Sequence, residues 1–185
     1  MNTKVLKINN LFSPLTNLRI VNILVQQHWR FAWDTKDGNK DLLNYVLQNK
    51  NYGFYLITLL HNEDTKKTPQ SFELNTFGKI LVDYICAKLG INEPVNIDRF
   101  YWNMYFNNSS MIEHTDWKDE SRLTILYNLH TTDGGIEINK TFYKDNMGEA
   151  KIFHGVNLHK GIAPKKDPIR FNLNVVFKKP KNFIF

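Results

Sequence analysis

The stretch RFNLNVVF, residues 170–177, alternates polar and apolar side chains over its first six positions. Such alternation predicts a β-strand, because successive side chains of a strand point to opposite faces of its sheet. Arg170, Asn172, Asn174 and Val176 would then share one face. Two interpretations of Arg170 are open: an edge residue in solvent, or a fixed guanidinium that holds a carboxylate inside a barrel.

The same strand pattern recurs through the second half of the chain. Short runs rich in aromatic and branched residues are separated by turn sequences such as TDGG at 132–135 and DNMG at 145–148. These runs predict strands at 97–106, 123–129, 135–138, 149–153 and 170–177. We therefore expect an all-β sandwich or barrel after residue 95.

The first half predicts helices that cover one sheet. Ser13 and Pro14 suit the N-cap and the first position of a helix. A broad apolar face is expected on that helix, formed by Leu15, Leu18, Ile20, Val21, Ile23, Leu24 and Val25. Further helices are predicted at 40–48 and at 71–89, where Gly90 ends the helix, and strands at 4–8 and 52–61. We interpret residues 1–185 as one domain, with the cover in 1–95 and the β core in 96–178.

The composition indicates a globular protein outside the membrane. The chain has 185 residues, 42% of them apolar, which suffices for one core. No segment approaches the roughly 20 apolar residues of a membrane span, and the first residues lack the apolar run of a signal peptide. We expect a cytoplasmic protein without a membrane partner. Cys86 is the only cysteine, which excludes an internal disulfide and suggests a buried core thiol.

The charge gives little indication of a partner. A formal net charge of +6 could favour anionic partners such as nucleic acid. Only five of the 24 basic residues are arginines, however, and the recognition of phosphates and bases relies on the planar guanidinium. We interpret the charge as a solvated surface with a solubilising tail, and expect no nucleic-acid partner.

A histidine and a carboxylate stand two residues apart at His114 and Asp116. In an extended segment both side chains point to one face. A second imidazole from a distant strand would complete the facial triad of two histidines and one carboxylate that non-haem Fe(II) oxygenases use. His159, before the last strand, is preferred to His154, which closes the preceding strand. The remaining histidines are interpreted as structural or loop residues: His28, His61 and His130.

The order of these motifs resembles that of the 2-oxoglutarate- and Fe(II)-dependent dioxygenases. The shared elements are H-x-D at 114–116, a G-G turn at 134–135, H-x-G at 159–161 and R-x-N at 170–172. The likeness covers residues 97–177, and the prolyl 4-hydroxylase-like branch is closest in size and layout. The resemblance implies a mainly β (α+β) fold: a double-stranded β-helix, or jelly roll, with an N-terminal helical layer packed on one sheet.

The resemblance also implies a metal centre and a cosubstrate. His114, Asp116 and His159 would hold Fe(II) and form the catalytic centre, while Arg170 would bind the distal carboxylate of 2-oxoglutarate. The cofactors implied are Fe(II), 2-oxoglutarate as cosubstrate and O2, with ascorbate as a further candidate.

Four more residues are candidates for binding the cosubstrate. Tyr105, on the strand before His114, matches a tyrosine that hydrogen-bonds 2-oxoglutarate in similar enzymes, and its alternative is a core aromatic. Leu126, Asn128 and Asn172 are the other three. Asn128 stands where the branch often has a tyrosine, and Tyr127 is expected to point to the opposite face.

The implied reaction is hydroxylation of an unactivated C–H bond, with succinate and CO2 as co-products. Asp116 favours hydroxylation, since halogenating relatives have a small residue there. A prolyl residue in a peptide or protein is the first substrate hypothesis, and a free amino acid or another small molecule is the second. A non-catalytic jelly-roll module that binds a sugar or peptide is the alternative from another class. Nucleic-acid-dealkylating relatives end in R-x-N-x-x-x-R, and Val176 in place of the second arginine argues against base repair.

Overall fold

The computed structural model describes residues 4–27, 29–31, 54–57, 72–107, 113–181 and 183. In chain order its elements are β1 (Leu6–Ile8), α1 (Pro14–Leu24), β2 (Arg30–Phe31), β3 (Phe54–Ile57), α2 (Phe72–Lys88), β4 (Ile97–Phe106), β5 (Arg122–Asn128), β6 (Gly135–Ile138), β7 (Thr141–Lys144), β8 (Ala150–His154), β9 (His159–Ile162) and β10 (Ile169–Lys178). The strands form two antiparallel sheets. The large sheet has the order β1-β8-β5-β10-β4-β3-β2, and the small sheet has the order β7-β6-β9.

Alternation along β10 divides the interior into two layers. One face of β10 lies in the main core, between the large sheet and the helices: Phe171, Leu173, Val175 and Phe177. The opposite face carries Arg170, Asn172 and Asn174, as the sequence pattern predicts, and all three are buried. That face looks toward the small sheet. A second apolar cluster joins the two sheets there: Leu126, Ile136, Ile138 and Phe153.

Helix α1 begins where the sequence predicts. Ser13 is the N-cap residue and Pro14 follows it in the first turn. Ile20 and Leu24 are buried against the main core. The prediction of a broad apolar face is wrong in part, because the helix contacts the core through a narrow stripe. Three of its apolar residues are more than half exposed: Leu15, Leu18 and Val25.

Helix α2 packs closely on β4. Leu81 and Ile85 are fully buried in the same cluster as Phe100 of β4. Gly78 makes the close approach possible, because a Cβ atom there would overlap the ring of Phe100. The helix is followed by Gly90 at φ +74°, as the sequence predicts. Within the described ranges, neither helix has the length and apolar character needed to span a bilayer.

Cys86 lies on the buried side of α2, where it is 4% exposed. Burial, with a smaller contribution from the negative charge of Asp83, raises the pKa of its thiol to about 11. A thiol that keeps its proton at neutral pH is a weak nucleophile, so the expected role of a core thiol fits.

The jelly-roll expectation is confirmed, and most strand predictions agree with the structure within a residue. Strands β2, β7 and β9 were not predicted. The turn between β6 and β7 has positive φ at Asn139 and Lys140, 46° and 67°, without the glycine that usually marks such a hairpin turn. The helix predicted at 40–48 lies outside the described residues, and only β3 is described from the strand predicted at 52–61.

Candidate metal centre

His114 and His159 face one another across a single antiparallel bridge. The backbone N–H of each donates to the carbonyl oxygen of the other, at 2.8 Å in both directions. Strand β9 begins at His159 and pairs with β6 along its other edge. Directly opposite residues of such a pair project to the same side of the sheet, and the two ring centroids are 4.5 Å apart. The fold therefore joins two histidines that are distant in sequence.

Asp116 lies beside both imidazoles. Its backbone N–H donates to the carbonyl oxygen of Gly155 at 2.8 Å, which fixes the segment after His114. Its Oδ1 is 3.7 Å from Nε2 of His114, and its Oδ2 is 3.4 Å from Nε2 of His159. One ligand atom from each of these three residues lies within 4.8 Å of the others. The structure thus brings together the three residues that the sequence selects as metal ligands.

The hydrogen bonding of His159 suits a metal ligand. Its Nδ1 lies 2.8 Å from the carbonyl oxygen of Asn157, which can only accept, so the ring proton is on Nδ1. Its buried Nε2 has no hydrogen-bond partner among the described residues. Burial lowers the pKa of His159 to about 4, with a contribution from the nearby cation of Arg99 and against the effect of the Asn157 carbonyl. The Nε2 lone pair therefore faces the carboxylate of Asp116 as a second acceptor, an arrangement that a cation between them would satisfy.

Two side chains that the sequence analysis did not select hold the carboxylate of Asp116. Arg99 of β4 donates from Nη2 to Oδ1, and Thr124 of β5 donates from Oγ1 to Oδ2 at 2.7 Å. The guanidinium of Arg99 also lies over the ring of Tyr101, 4.9 Å from its centroid. Alternation from Tyr105 back along β4 would have placed Arg99 on the site face, but its partner depends on how distant segments meet.

Arg170 is fully buried and lines a pocket that His114 and His159 also line. Its guanidinium forms an ion pair with Asp145 through Nε and Nη2, and lies 4.6 Å from the ring centroid of Tyr105. The amide oxygen of Asn172, turned toward the guanidinium, accepts from Nη1 and Nη2 at 3.2 and 3.1 Å. Burial acts to lower the pKa of Arg170, but the negative charge of Asp145 outweighs it and the pKa is raised. The sequence analysis treated Asp145 only as a turn residue.

Asp145 belongs to a wider group of buried charges between the sheets. The Nζ atom of Lys151 is 3.6 Å from Oδ1 of Asp145 and 2.6 Å from Oε1 of Glu149. Lys151 is fully buried and Glu149 is 3% exposed. Together with Arg170 these residues form two cations and two anions, so the group balances its own charge.

A narrow pocket connects the two histidines of the triad with Arg170. Its described lining is Tyr101, Asn103, Tyr105, His114, Leu126, Ile136, His159, Gly161, Arg170 and Asn174. Tyr105 lies in this pocket and is 3% exposed. Burial outweighs the charge of Arg170 and raises the pKa of Tyr105 to about 12, so the hydroxyl keeps its proton and can donate.

The other candidate residues have different positions. Leu126 lines the pocket, whereas Asn128 and Asn172 are paired across β5 and β10 and are buried outside its lining. Tyr127 points to the opposite face, as predicted, where its hydroxyl donates to Oδ1 of Asn17 at 2.6 Å.

The remaining described histidines do not join the triad. Alternation along β8 puts His154 on the same face as Ile152, which lies in the main core. Lys151 and Phe153 lie on the opposite face. The Nε2 atom of His130 accepts from the backbone N–H of Phe171 at 2.8 Å, a structural role. His28 and His61 lie outside the described residues.

No family model and no curated protein sequence matches the chain. Among solved structures, an oxidoreductase of the 2OG-Fe(II) oxygenase family from Burkholderia pseudomallei superposes with a TM-score of 0.62 at 11% identity, over 94% of this chain and 84% of that one.

Two further solved structures contain bound ligands. The viral collagen prolyl hydroxylase of Paramecium Bursaria Chlorella virus-1, in complex with 2OG, gives a TM-score of 0.56 at 14% identity and covers 95% of this chain and 96% of that one. The epimerase SnoN, in complex with Fe3+, alpha ketoglutarate and nogalamycin RO, gives 0.61 at 11% identity, over 95% and 78%. At these identities the likeness concerns architecture, and the chain has the jelly-roll fold of the 2-oxoglutarate- and Fe(II)-dependent oxygenases.

Proposed function

We propose that this protein is an Fe(II)- and 2-oxoglutarate-dependent dioxygenase that hydroxylates an unactivated C–H bond. One observation carries the proposal: ligand atoms of His114, Asp116 and His159 lie within 4.8 Å of one another, and the buried guanidinium of Arg170 lines the same pocket. Two imidazoles and one carboxylate on one side of a ferrous ion leave the remaining positions open for cosubstrate and oxygen.

His114, Asp116 and His159 are the residues that would hold the metal. With 2-oxoglutarate, iron supplies the oxidative chemistry that activates O2, and succinate and CO2 are the co-products. The protein fixes the ligands before the metal arrives, because backbone hydrogen bonds hold His114 against His159 and Asp116 against Gly155. The Asn157 carbonyl keeps the proton of His159 on Nδ1 and leaves Nε2 as the ligand atom.

Arg170 and Tyr105 would bind the distal carboxylate of 2-oxoglutarate. Asp145 engages Nε and Nη2 of Arg170 and Asn172 accepts one proton of Nη1, so the carboxylate would meet the second proton of Nη1 and the hydroxyl of Tyr105. Both groups are buried, and a charge-assisted hydrogen bond gains strength when water is excluded. Leu126 and Ile136 supply the apolar walls of the pocket.

The side chains of His114 and Arg99 are 35% and 33% exposed, whereas that of Asp116 is inaccessible. Substrate would therefore approach the metal from the side of His114 and Arg99. We propose a prolyl residue in a peptide or protein as the substrate. The support is that the match to the viral collagen prolyl hydroxylase covers 95% of this chain and 96% of that enzyme. A small molecule is the second candidate, supported by the similarity to SnoN in complex with nogalamycin RO.

The test of the activity is an anaerobic titration with Fe(II) and 2-oxoglutarate, followed by visible absorption. We expect a metal-to-ligand charge-transfer band in the wild type. His114→Ala should abolish the band by loss of the metal, whereas Arg170→Ala should retain Fe(II) and require much more 2-oxoglutarate. Absence of the band at every concentration of either ligand would contradict the proposed activity and favour the alternative of a non-catalytic binding module.

Release of succinate tests the substrate. Under air, proline-rich peptides should increase succinate formation above the uncoupled rate, and the peptide should gain the mass of one oxygen atom. Stimulation by free proline or another small molecule, without stimulation by any peptide, would support the second candidate.

A further inference from the structure

We infer that Arg99 is a positioning residue that keeps Asp116 a one-oxygen ligand of the metal. The inference rests on the proposed function. It assigns Arg99 a role in leaving coordination positions open for the cosubstrate.

The two oxygens of Asp116 have different surroundings. Oδ1 accepts from the guanidinium of Arg99, whereas Oδ2 lies 3.4 Å from the partnerless Nε2 of His159. Thr124 also bonds Oδ2, but its hydroxyl oxygen has lone pairs and can rotate, so it need not block a metal. The guanidinium, by contrast, places a fixed positive charge beside Oδ1, and that charge opposes a metal ion at the same oxygen. A metal bound through Oδ2 therefore stays farther from Arg99, whereas chelation through both oxygens would bring the metal against the guanidinium.

Arg99 is itself held in place. It lies on β4 opposite Val176 of β10, within a long run of paired residues, and its guanidinium stacks over Tyr101 at 4.9 Å. The carboxylate that it binds is inaccessible to solvent, so water does not replace this contact. A planar guanidinium stacked on a ring loses little freedom when it makes a hydrogen bond, which makes it suitable for fixing an orientation.

The geometry has two consequences for binding. A carboxylate that chelates with both oxygens would take a coordination position that the keto and carboxylate oxygens of 2-oxoglutarate, or O2, require. The charge of Arg99 also repels a divalent cation and attracts the 2-oxoglutarate dianion. Removal of Arg99 should therefore strengthen metal binding and weaken cosubstrate binding. A merely structural role predicts that both affinities fall together.

The experiment compares Arg99→Gln, Arg99→Lys and the matched control Arg122→Gln. Like Arg99, Arg122 pairs with an aspartate, Asp98, and its guanidinium lies over an aromatic ring, 4.6 Å from the centroid of Trp117. Asp98, unlike Asp116, does not belong to the triad. Calorimetry would measure the affinity for Mn(II) alone, and then the affinity for 2-oxoglutarate at saturating Mn(II). Thermal unfolding of each metal-free variant would verify that it is folded.

We expect Arg99→Gln to bind Mn(II) about threefold to tenfold more tightly and 2-oxoglutarate about tenfold more weakly, since a factor of ten is the effect of one modest interaction. Arg99→Lys should lie between Arg99→Gln and the wild type, and Arg122→Gln should match the wild type. The inference is wrong if Arg99→Gln leaves both affinities unchanged or weakens both. A wild-type protein that binds no Mn(II) would instead contradict the proposed function.

Discussion

Gly161 lines the pocket beside Tyr105 and is in close contact with its ring. A Cβ atom there would lie 2.5 Å from the hydroxyl oxygen of Tyr105. We expect Gly161→Ala to displace that hydroxyl from Arg170, to weaken 2-oxoglutarate binding about tenfold and to lower the free energy of unfolding by about 1–3 kcal/mol. Mn(II) affinity should stay within about twofold, because the three atoms nearest to the new methyl group all belong to Tyr105.

A double-mutant cycle tests whether the effect passes through Tyr105. Tyr105→Phe should weaken 2-oxoglutarate binding to a similar extent, and the double variant should lose little more than either single one. Fully additive losses would mean that the new methyl group obstructs the cosubstrate directly.

Single residues also show what the sequence can and cannot predict about the site. The triad could be predicted because the H-x-D spacing puts two candidate ligands on one face of an extended segment. A histidine before the last strand supplied the third candidate. Arg99, Thr124 and Asp145 were missed, because the role of each depends on a partner that the fold places beside it: Asp116 for Arg99 and Thr124, and Arg170 for Asp145. Strand alternation gives the face on which Arg99 and Thr124 lie, but it does not give the partner that each side chain meets there.

Among the elements, α2 and β4 pack closely at Gly78. We expect Gly78→Ala to lower the free energy of unfolding by about 1–3 kcal/mol, because the new methyl group overlaps the ring of Phe100. Urea denaturation measures this change. Lys79→Ala, the exposed neighbour on the same helix, is the control and should change stability by less than about 0.5 kcal/mol. Equal stability of the two variants would contradict the packing described for this helix.

The start of β10 contains a hydrogen bond that depends on pH. Nε2 of His130 accepts from the N–H of Phe171, and burial lowers the pKa of this histidine. The folded state therefore binds fewer protons than the unfolded state, so stability should fall as pH drops below about 6.5. His130→Asn should be less stable than the wild type at neutral pH, and the difference should shrink as the pH is lowered. A difference that stays constant with pH would refute this role, and urea denaturation at several pH values decides it.

Elements differ in how well the sequence predicts them. The long buried strands 97–106 and 170–177 have strong alternation and were found. Strand β7 is mostly exposed, and β9 is only HKGI, so neither carries a clear pattern. In β9 the strand exists because β6 and His114 pair with its two edges. Helix α1 shows the reverse case, in which apolar composition overestimated the buried face.

At the scale of the whole molecule, the site depends on how the two sheets meet. The small sheet supplies His159 through β9, the segment at 114–116 bridges to it, and the large sheet supplies Arg99, Thr124 and Arg170 through β4, β5 and β10. Buried charges between the sheets are neutralised by one another, so this layer is polar and specific where the helix-facing layer is apolar. The resemblance in motif order predicted that His114, Asp116, His159 and Arg170 meet, but it did not predict the contributions of Arg99 and Thr124.

The most direct test of the central claim is an anaerobic equilibrium measurement of Fe(II) binding to the wild type, His159→Ala and His154→Ala. Each substitution removes a buried imidazole, and the two positions are five residues apart in sequence. Only His159 belongs to the triad. We predict one tightly bound Fe(II) per chain in the wild type and in His154→Ala, and loss of tight binding in His159→Ala. Retention of wild-type affinity by His159→Ala, or its loss in His154→Ala alone, would contradict the account.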